Sequence, residues 1–148
     1  MTSDPTSGTT RHRAVTVERT EPGRFNVRNA RGGLLDIGNG ADGLFTPTEL
    51  LLAAIGGCTA IDVDALTARR AQPESFTVVV DAEKIRDDLG NRLSDIQVTF
   101  RVAFPAGPDG DAARSVLPRA AQQSHDRLCT VGRTVEIGTE IAVHIEQP

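Results

Sequence analysis

The sequence predicts an α+β protein, mostly antiparallel hairpins set around two helices. Three observations carry that expectation. Paired runs alternate polar and apolar residues and are joined by turn residues, as hairpins require. One long small-residue and apolar segment opens with a helix-capping pattern. The order of elements reads strands, helix, strands, helix, strand, with no internal repeat and no linker. Residues 1–10 read as a polar, disordered lead-in, and 11–148 as a single domain.

The first hairpin is expected from Arg13–Val17 (RAVTV) and Arg24–Asn29 (RFNVRN), with Pro22-Gly23 turning between them. A short run from Gly33 to Ile37 follows, then the glycine-rich connection Gly38–Gly43. Thr46-Pro47-Thr48-Glu49 matches a capping box: Thr46 caps, Pro47 takes the first helical position, and Glu49 the third. The helix predicted from there runs to about Arg70. Gly56-Gly57 lies inside it at about 1 kcal/mol per glycine relative to Ala, so close approach by another segment is expected there. Residues 76–85 and 93–104 predict a second, longer hairpin linked by the turn Asp87-Asp88-Leu89-Gly90-Asn91. A second helix is expected over about 112–128, kinked or restarted at Pro118. A last strand is expected over Ile141–Ile145.

Composition excludes several functions. A net charge of -4 argues against a basic nucleic-acid surface. Five Phe with no Trp or Tyr leave no base-stacking platform. No export signal and no apolar run near bilayer-spanning length is visible, so a cytoplasmic protein with no membrane partner is expected. Two cysteines and three scattered histidines do not form a metal-ligand set, and no cofactor motif stands out.

The cysteines carry the chemistry. A thiolate can attack a peroxide O–O bond and become a sulfenic acid, and a second cysteine can condense with it to a disulfide that a reductant reopens. Cys58 lies about three turns inside its helix, beyond reach of the helix dipole, so its activation requires a nearby cation. Cys129 follows a helix and is flanked by Arg127 and Arg133. Plainer readings stand beside these. Either cysteine suits simple core packing; Glu49 has a sufficient task as cap partner, on the side of the helix opposite Cys58; His125 suits a solvated surface. Asp62, one turn beyond Cys58 on the same face, opposes thiolate formation unless a cation intervenes.

The segment Thr46–Arg70, TPTELLLAAIGGCTAIDVDALTARR, resembles the cysteine-bearing segment of the OsmC/Ohr family, most of all its YhfA-like branch. Ser124–Val135, SHDRLCTVGRTV, is similar to the family's second cysteine segment. The matching element order extends from about Thr16 to Val143. The resemblance implies an intertwined homodimer with antiparallel sheets packed around two central helices and active sites at the subunit interface. It implies Cys58 as the peroxidatic thiol and Cys129 as the resolving one, with an arginine from the N-terminal hairpin region steadying the thiolate. Arg24 best matches that arginine, with Arg31 as the fallback. The sequence departs at the glutamate that would hold this arginine: ten residues before Cys58 stands Thr48, and its neighbour Glu49 is the available carboxylate. The activity implied is a thiol peroxidase on organic hydroperoxides, recycled by a lipoyl- or thioredoxin-like dithiol. A cysteine hydrolase of small esters and a non-catalytic binding protein are the alternatives.

Overall fold

The structure, a computed structural model, describes residues 10–148; the lead-in expected over 1–10 lies, but for Thr10, outside the described residues. The described residues form two units, divided between Glu49 and Leu50.

In the first unit, β1 (Val15–Glu21), β2 (Arg24–Asn29) and β3 (Leu34–Ile37) form an antiparallel meander in the order β1-β2-β3. Val17 pairs with Val27 and Val27 with Leu35, so the alternating apolar positions fall in register on one face. The turn works because Gly23 takes a positive φ of 74°. The first strand therefore starts later and runs longer than its sequence signal, because pairing with β2 recruits Glu18–Glu21.

Helix α1 (Pro47–Thr67) starts as the capping box predicts. The Thr46 hydroxyl accepts from the Glu49 backbone N–H at 3.2 Å and donates to Glu49 Oε1 at 2.9 Å. The helix ends at Thr67, whose hydroxyl turns back to the Val63 carbonyl at 2.9 Å. By length and composition α1 is apolar enough to cross a membrane, with a mean hydropathy of 1.6, which corrects the expectation that no such run exists. Small residues and the carboxylates of Asp62 and Asp64 interrupt the run residue by residue but leave its average high. Ile55, Gly56, Thr59, Val63 and Thr67 are its buried face.

The second unit continues with β4 (Ser75–Asp87) and β5 (Gly90–Ala103), one antiparallel hairpin. Its tight turn is fixed by the Asp87 carboxylate, which accepts from the Leu89 N–H at 2.9 Å and pairs with Arg92 at 2.7 Å. These contacts, Arg92 foremost, hold the Asp87 carboxyl below its ordinary range. Phe76 and Phe100 meet edge to face, with ring centroids 6.3 Å apart.

Helix α2 (Pro108–Gln123) passes unbroken through Pro118. It then widens into one π-helical turn, Ser124–Leu128, before a short helix α3 (Thr130–Glu136). The sequence did not predict α3. The strand expected over Ile141–Ile145 does not form: these residues carry no regular structure, and Ile141, Val143 and Ile145 are 85%, 82% and 85% exposed. The reason is physical. Alternation marks a face, but a strand exists only when a neighbour completes its hydrogen bonds.

The adjacent glycines of α1 have different surroundings. A Cβ on Gly56 would stand 2.7 Å from Val80 Cγ2, whereas one on Gly57 would meet nothing within 4 Å. A β-branched side chain on a strand has little freedom to yield, so the approach that repays Gly56 comes from β4. Gly56→Ala should destabilise the protein by about 1–3 kcal/mol, exceeding the helix-propensity gain. Gly57→Ala should stabilise the isolated chain by about 0.5–1 kcal/mol. Denaturant midpoints of the two variants check the contrast, and equal shifts would refute it.

Candidate functional site

Cys58 sits on α1 next to the buried Thr59, and its side chain is half-buried. Cys129 is buried, 5% exposed, and both thiols are free. The chain brings them together: Cys58 is among the groups close enough to act on the Cys129 thiol.

The π-helical turn sets this geometry. The Cys129 N–H donates to the Ser124 carbonyl at 2.8 Å, a five-residue span in place of the usual four. That wider turn leaves Cys129 in extended conformation as the N-cap of α3, where its sulfur accepts from the Gly132 N–H at 3.2 Å. A Cβ on Gly132 would sit 3.3 Å from that sulfur, so a small residue is favoured there.

The turn is tied to α1 by hydroxyls. Ser124 is fully buried; its Oγ shares a 2.8 Å hydrogen bond with Thr59 Oγ1 and donates to Asp62 Oδ2 at 2.9 Å. Thr59 and Asp62 are three residues apart, hence neighbours on one helix face. The sequence reading missed Ser124; its only signal was a small hydroxyl at the end of a helix beside a cysteine.

Burial pushes the Cys129 thiol above its ordinary range, and the Cys58 thiol and the Asp62 carboxylate push the same way. The Gly132 N–H opposes them by favouring the charged sulfur. No arginine is among the groups that act on Cys129 within the described residues: Arg127 and Arg133, two residues before it and four after, are exposed.

A cavity of about 390 Å³ adjoins Cys129. Ile55, Ile96, Val98, Phe100, Pro118, Ala121 and Val135 make it mainly apolar, while Thr59, Gln122, His125 and Glu136 supply polar groups. His125 is exposed, with Nε2 3.5 Å from Glu136 Oε1. Such a cavity suits a small ligand with an apolar body. No group of three or more His, Cys, Asp or Glu side chains arranged to hold a metal occurs among the described residues.

Arg24 and Glu49 both belong to the first unit. The Arg24 guanidinium holds Asp42, with Nε at 2.9 Å and a terminal nitrogen at 2.8 Å from Oδ2, and also pairs with Glu21 at 2.9 Å. Glu49 is engaged with Thr46 in the capping box. No Arg24–Glu49 pair forms among the described residues; Asp42, from the glycine-rich connection, is the carboxylate the sequence reading overlooked. Its own turn explains its position: Asp42 Oδ1 accepts from the Leu44 N–H at 2.9 Å, which fixes the carboxylate for Arg24. Arg31, the fallback, lies in the turn before β3, its backbone N–H donating to Asn29 Oδ1 at 3.0 Å.

Comparison with known proteins agrees with this architecture. An uncharacterized protein of Mycobacterium tuberculosis is 31% identical over 130 residues, covering 87% of this chain and 93% of its own. An OsmC-like protein of unknown function from Vibrio cholerae superposes with a TM-score of 0.72 at 13% identity, over 86% of this chain and 95% of the other. A hypothetical protein from Aquifex aeolicus gives 0.69 at 20%, over 88% and 91%. The organic hydroperoxide resistance protein OhrB of Bacillus subtilis gives 0.53 at 14%, over 84% and 90%. These likenesses establish the fold, and residues 40–144 match the OsmC-like protein family model. The chain belongs to the OsmC-like protein family.

Proposed function

We propose that this protein is a thiol-dependent peroxidase for organic hydroperoxides, working through Cys58 and Cys129 in a reducing compartment such as the cytoplasm. The observation that carries the reading is the adjacency of the two free thiols, with a mainly apolar cavity adjoining Cys129. In the first step the Cys58 thiolate attacks one peroxide oxygen. The S–O bond forms as the O–O bond breaks, and the alkoxide takes up a proton and leaves as alcohol. Cysteine is thereby oxidised to sulfenic acid and the peroxide reduced. Cys129 then closes a disulfide with release of water, and an external dithiol reopens it by exchange. The half-buried thiol is the more accessible attacker, and the buried one, pushed toward its protonated form, suits the second step.

The same reading assigns the thiolate's cation to Arg24, oriented by Asp42 and Glu21, with Glu49 left to its cap. It also makes the protein a homodimer. Two features support a second copy: α1 has only 28% of its most apolar window buried, with Ile61 72% exposed, and the alternating Ile141, Val143 and Ile145 stand uncovered. Apolar surface of that extent is where partners bind.

Mass spectrometry after one equivalent of cumene hydroperoxide should find a Cys58–Cys129 disulfide in wild type. Cys129→Ser should stop at a Cys58 sulfenic acid, and Cys58→Ser should consume no peroxide. Unoxidised thiols in wild type would instead favour a binding protein. Arg24→Ala should slow the first oxidation about ten- to hundredfold near neutral pH, since the cation that favours the attacking thiolate is removed. An unchanged rate removes Arg24 from the site. By light scattering the protein should be a dimer, and Val143→Asp should dissociate it; a wild-type monomer would refute the dimer.

A further inference from the structure

We propose that Asp62 is a positioning residue for Cys129: through the buried Ser124 hydroxyl it pins the turn carrying this thiol to the helix face carrying Cys58. The proposal rests on the redox reading above for its purpose, but its geometry stands by itself. Ser124 Oγ is fully buried and has two partners, Thr59 Oγ1 at 2.8 Å and Asp62 Oδ2 at 2.9 Å, both on α1. An aspartate accepts only, so Ser124 gives Asp62 its proton and must accept from Thr59. The direction of both bonds is thus fixed from the charged end. The Ser124 carbonyl in turn receives the Cys129 N–H at 2.8 Å. One residue therefore anchors to α1 by its side chain and holds Cys129 by its backbone.

The arrangement has two consequences. The first is mechanical. In the resolving step the Cys129 sulfur attacks the Cys58 sulfenic sulfur; the S–S bond forms as the S–OH bond breaks, and hydroxide leaves as water with the proton Cys129 gives up. That attack needs the sulfurs held in line, and a turn without its anchor samples other positions. The second is electrostatic. The titratable groups around Cys129 are Cys58 and Asp62 on α1, His125 on its own turn and Glu136 on α3; β5 and α2 contribute none to the cavity. Burial foremost holds Cys129 back as the thiol, and Cys58 and then the Asp62 carboxylate act in the same direction. The same charge that anchors the turn leaves Cys58 as the better attacker until it has been oxidised.

The test separates this proposal from the peroxidase reading by using diamide, which takes two electrons and two protons from a thiol pair and needs no peroxidase activity. Asp62→Ala and Ser124→Ala should form the Cys58–Cys129 disulfide about tenfold more slowly than wild type. Asp62→Asn keeps an oxygen that can accept from Ser124 and should bridge within about twofold of wild type. In a Cys58→Ser background, Asp62→Asn should also move the pH profile of Cys129 alkylation to lower pH, with about threefold faster alkylation near neutrality. A purely structural side chain would not shift that profile. Should the alanine variants fail to fold, Asp62→Asn decides alone. Wild-type bridging rates in folded alanine variants, or an alkylation profile that Asp62→Asn leaves in place, would overturn the assignment. Wild-type protein inert to hydroperoxide but showing these diamide and alkylation effects would sink the peroxidase reading and leave the positioning role standing.

Discussion

A hydroxyl with no access to solvent joins the two parts of the cysteine pair. Ser124 Oγ bridges Thr59 and Asp62 of α1 to the turn that ends in Cys129. Burying a hydroxyl without partners costs several kcal/mol in an apolar medium, so the turn and the helix face must meet for either to be tolerated. The π-helical widening follows from the same constraint. An ordinary turn advances four residues per hydrogen bond, whereas here the Cys129 N–H reaches Ser124, five residues back, and both ends of the segment stay on the α1 side. Such widened turns recur at functional sites in proteins generally, because they re-aim one side chain without ending the helix.

Backbone packing upstream serves that junction. Gly56, two residues before Cys58 on α1, lets Val80 of β4 approach to a distance a side chain would forbid. Helix and hairpin therefore stack closely, and β5, paired along β4 with a register shift between Asp81 and Glu83, brings Ile96, Val98 and Phe100 to the wall of the cavity. At its other end, the close approach of Gly110 to the Pro105 carbonyl sets the start of α2 against the end of β5, with Arg114 donating to the Phe104 carbonyl at 2.9 Å. The thiol pair thus rests on a frame whose tight points are two glycines.

How much of this was legible in the sequence follows from which interactions are local. The capping box at Thr46–Glu49 was readable because its four residues complete one another. The hairpins were readable because alternation and turn residues sit side by side in the chain, although the pairing itself lengthened β1 and both strands of the second hairpin. The strand over Ile141–Ile145 was read from alternation alone, and that signal says nothing about who supplies the neighbouring ladder. Two motifs pointed to Cys58 and Cys129, and the fold class was right; the hydroxyl bridge could not be seen, since Ser124 is unremarkable until Thr59 and Asp62 face it. Asp42 was overlooked for the same reason: in a run of glycines it reads as a turn former, which it is, and only the folded loop turns its second oxygen to Arg24.

Asp62 shows how one residue can look adverse in sequence and useful in the fold. One turn beyond Cys58 on the same face, a carboxylate should discourage a thiolate, and nothing in the chain order suggests a compensation. In the folded chain that carboxylate is the acceptor for Ser124, and its field falls on Cys129 together with burial, the larger effect. Two thiols side by side gain nothing from equal acidity: if both ionised, their charges would repel, and neither would be committed to attack. A pair works in sequence when one sulfur is accessible and the other is buried and held as the thiol. Burial foremost biases Cys129 in that direction, with Cys58 and the carboxylate adding to it, while the Gly132 N–H favours the charged sulfur.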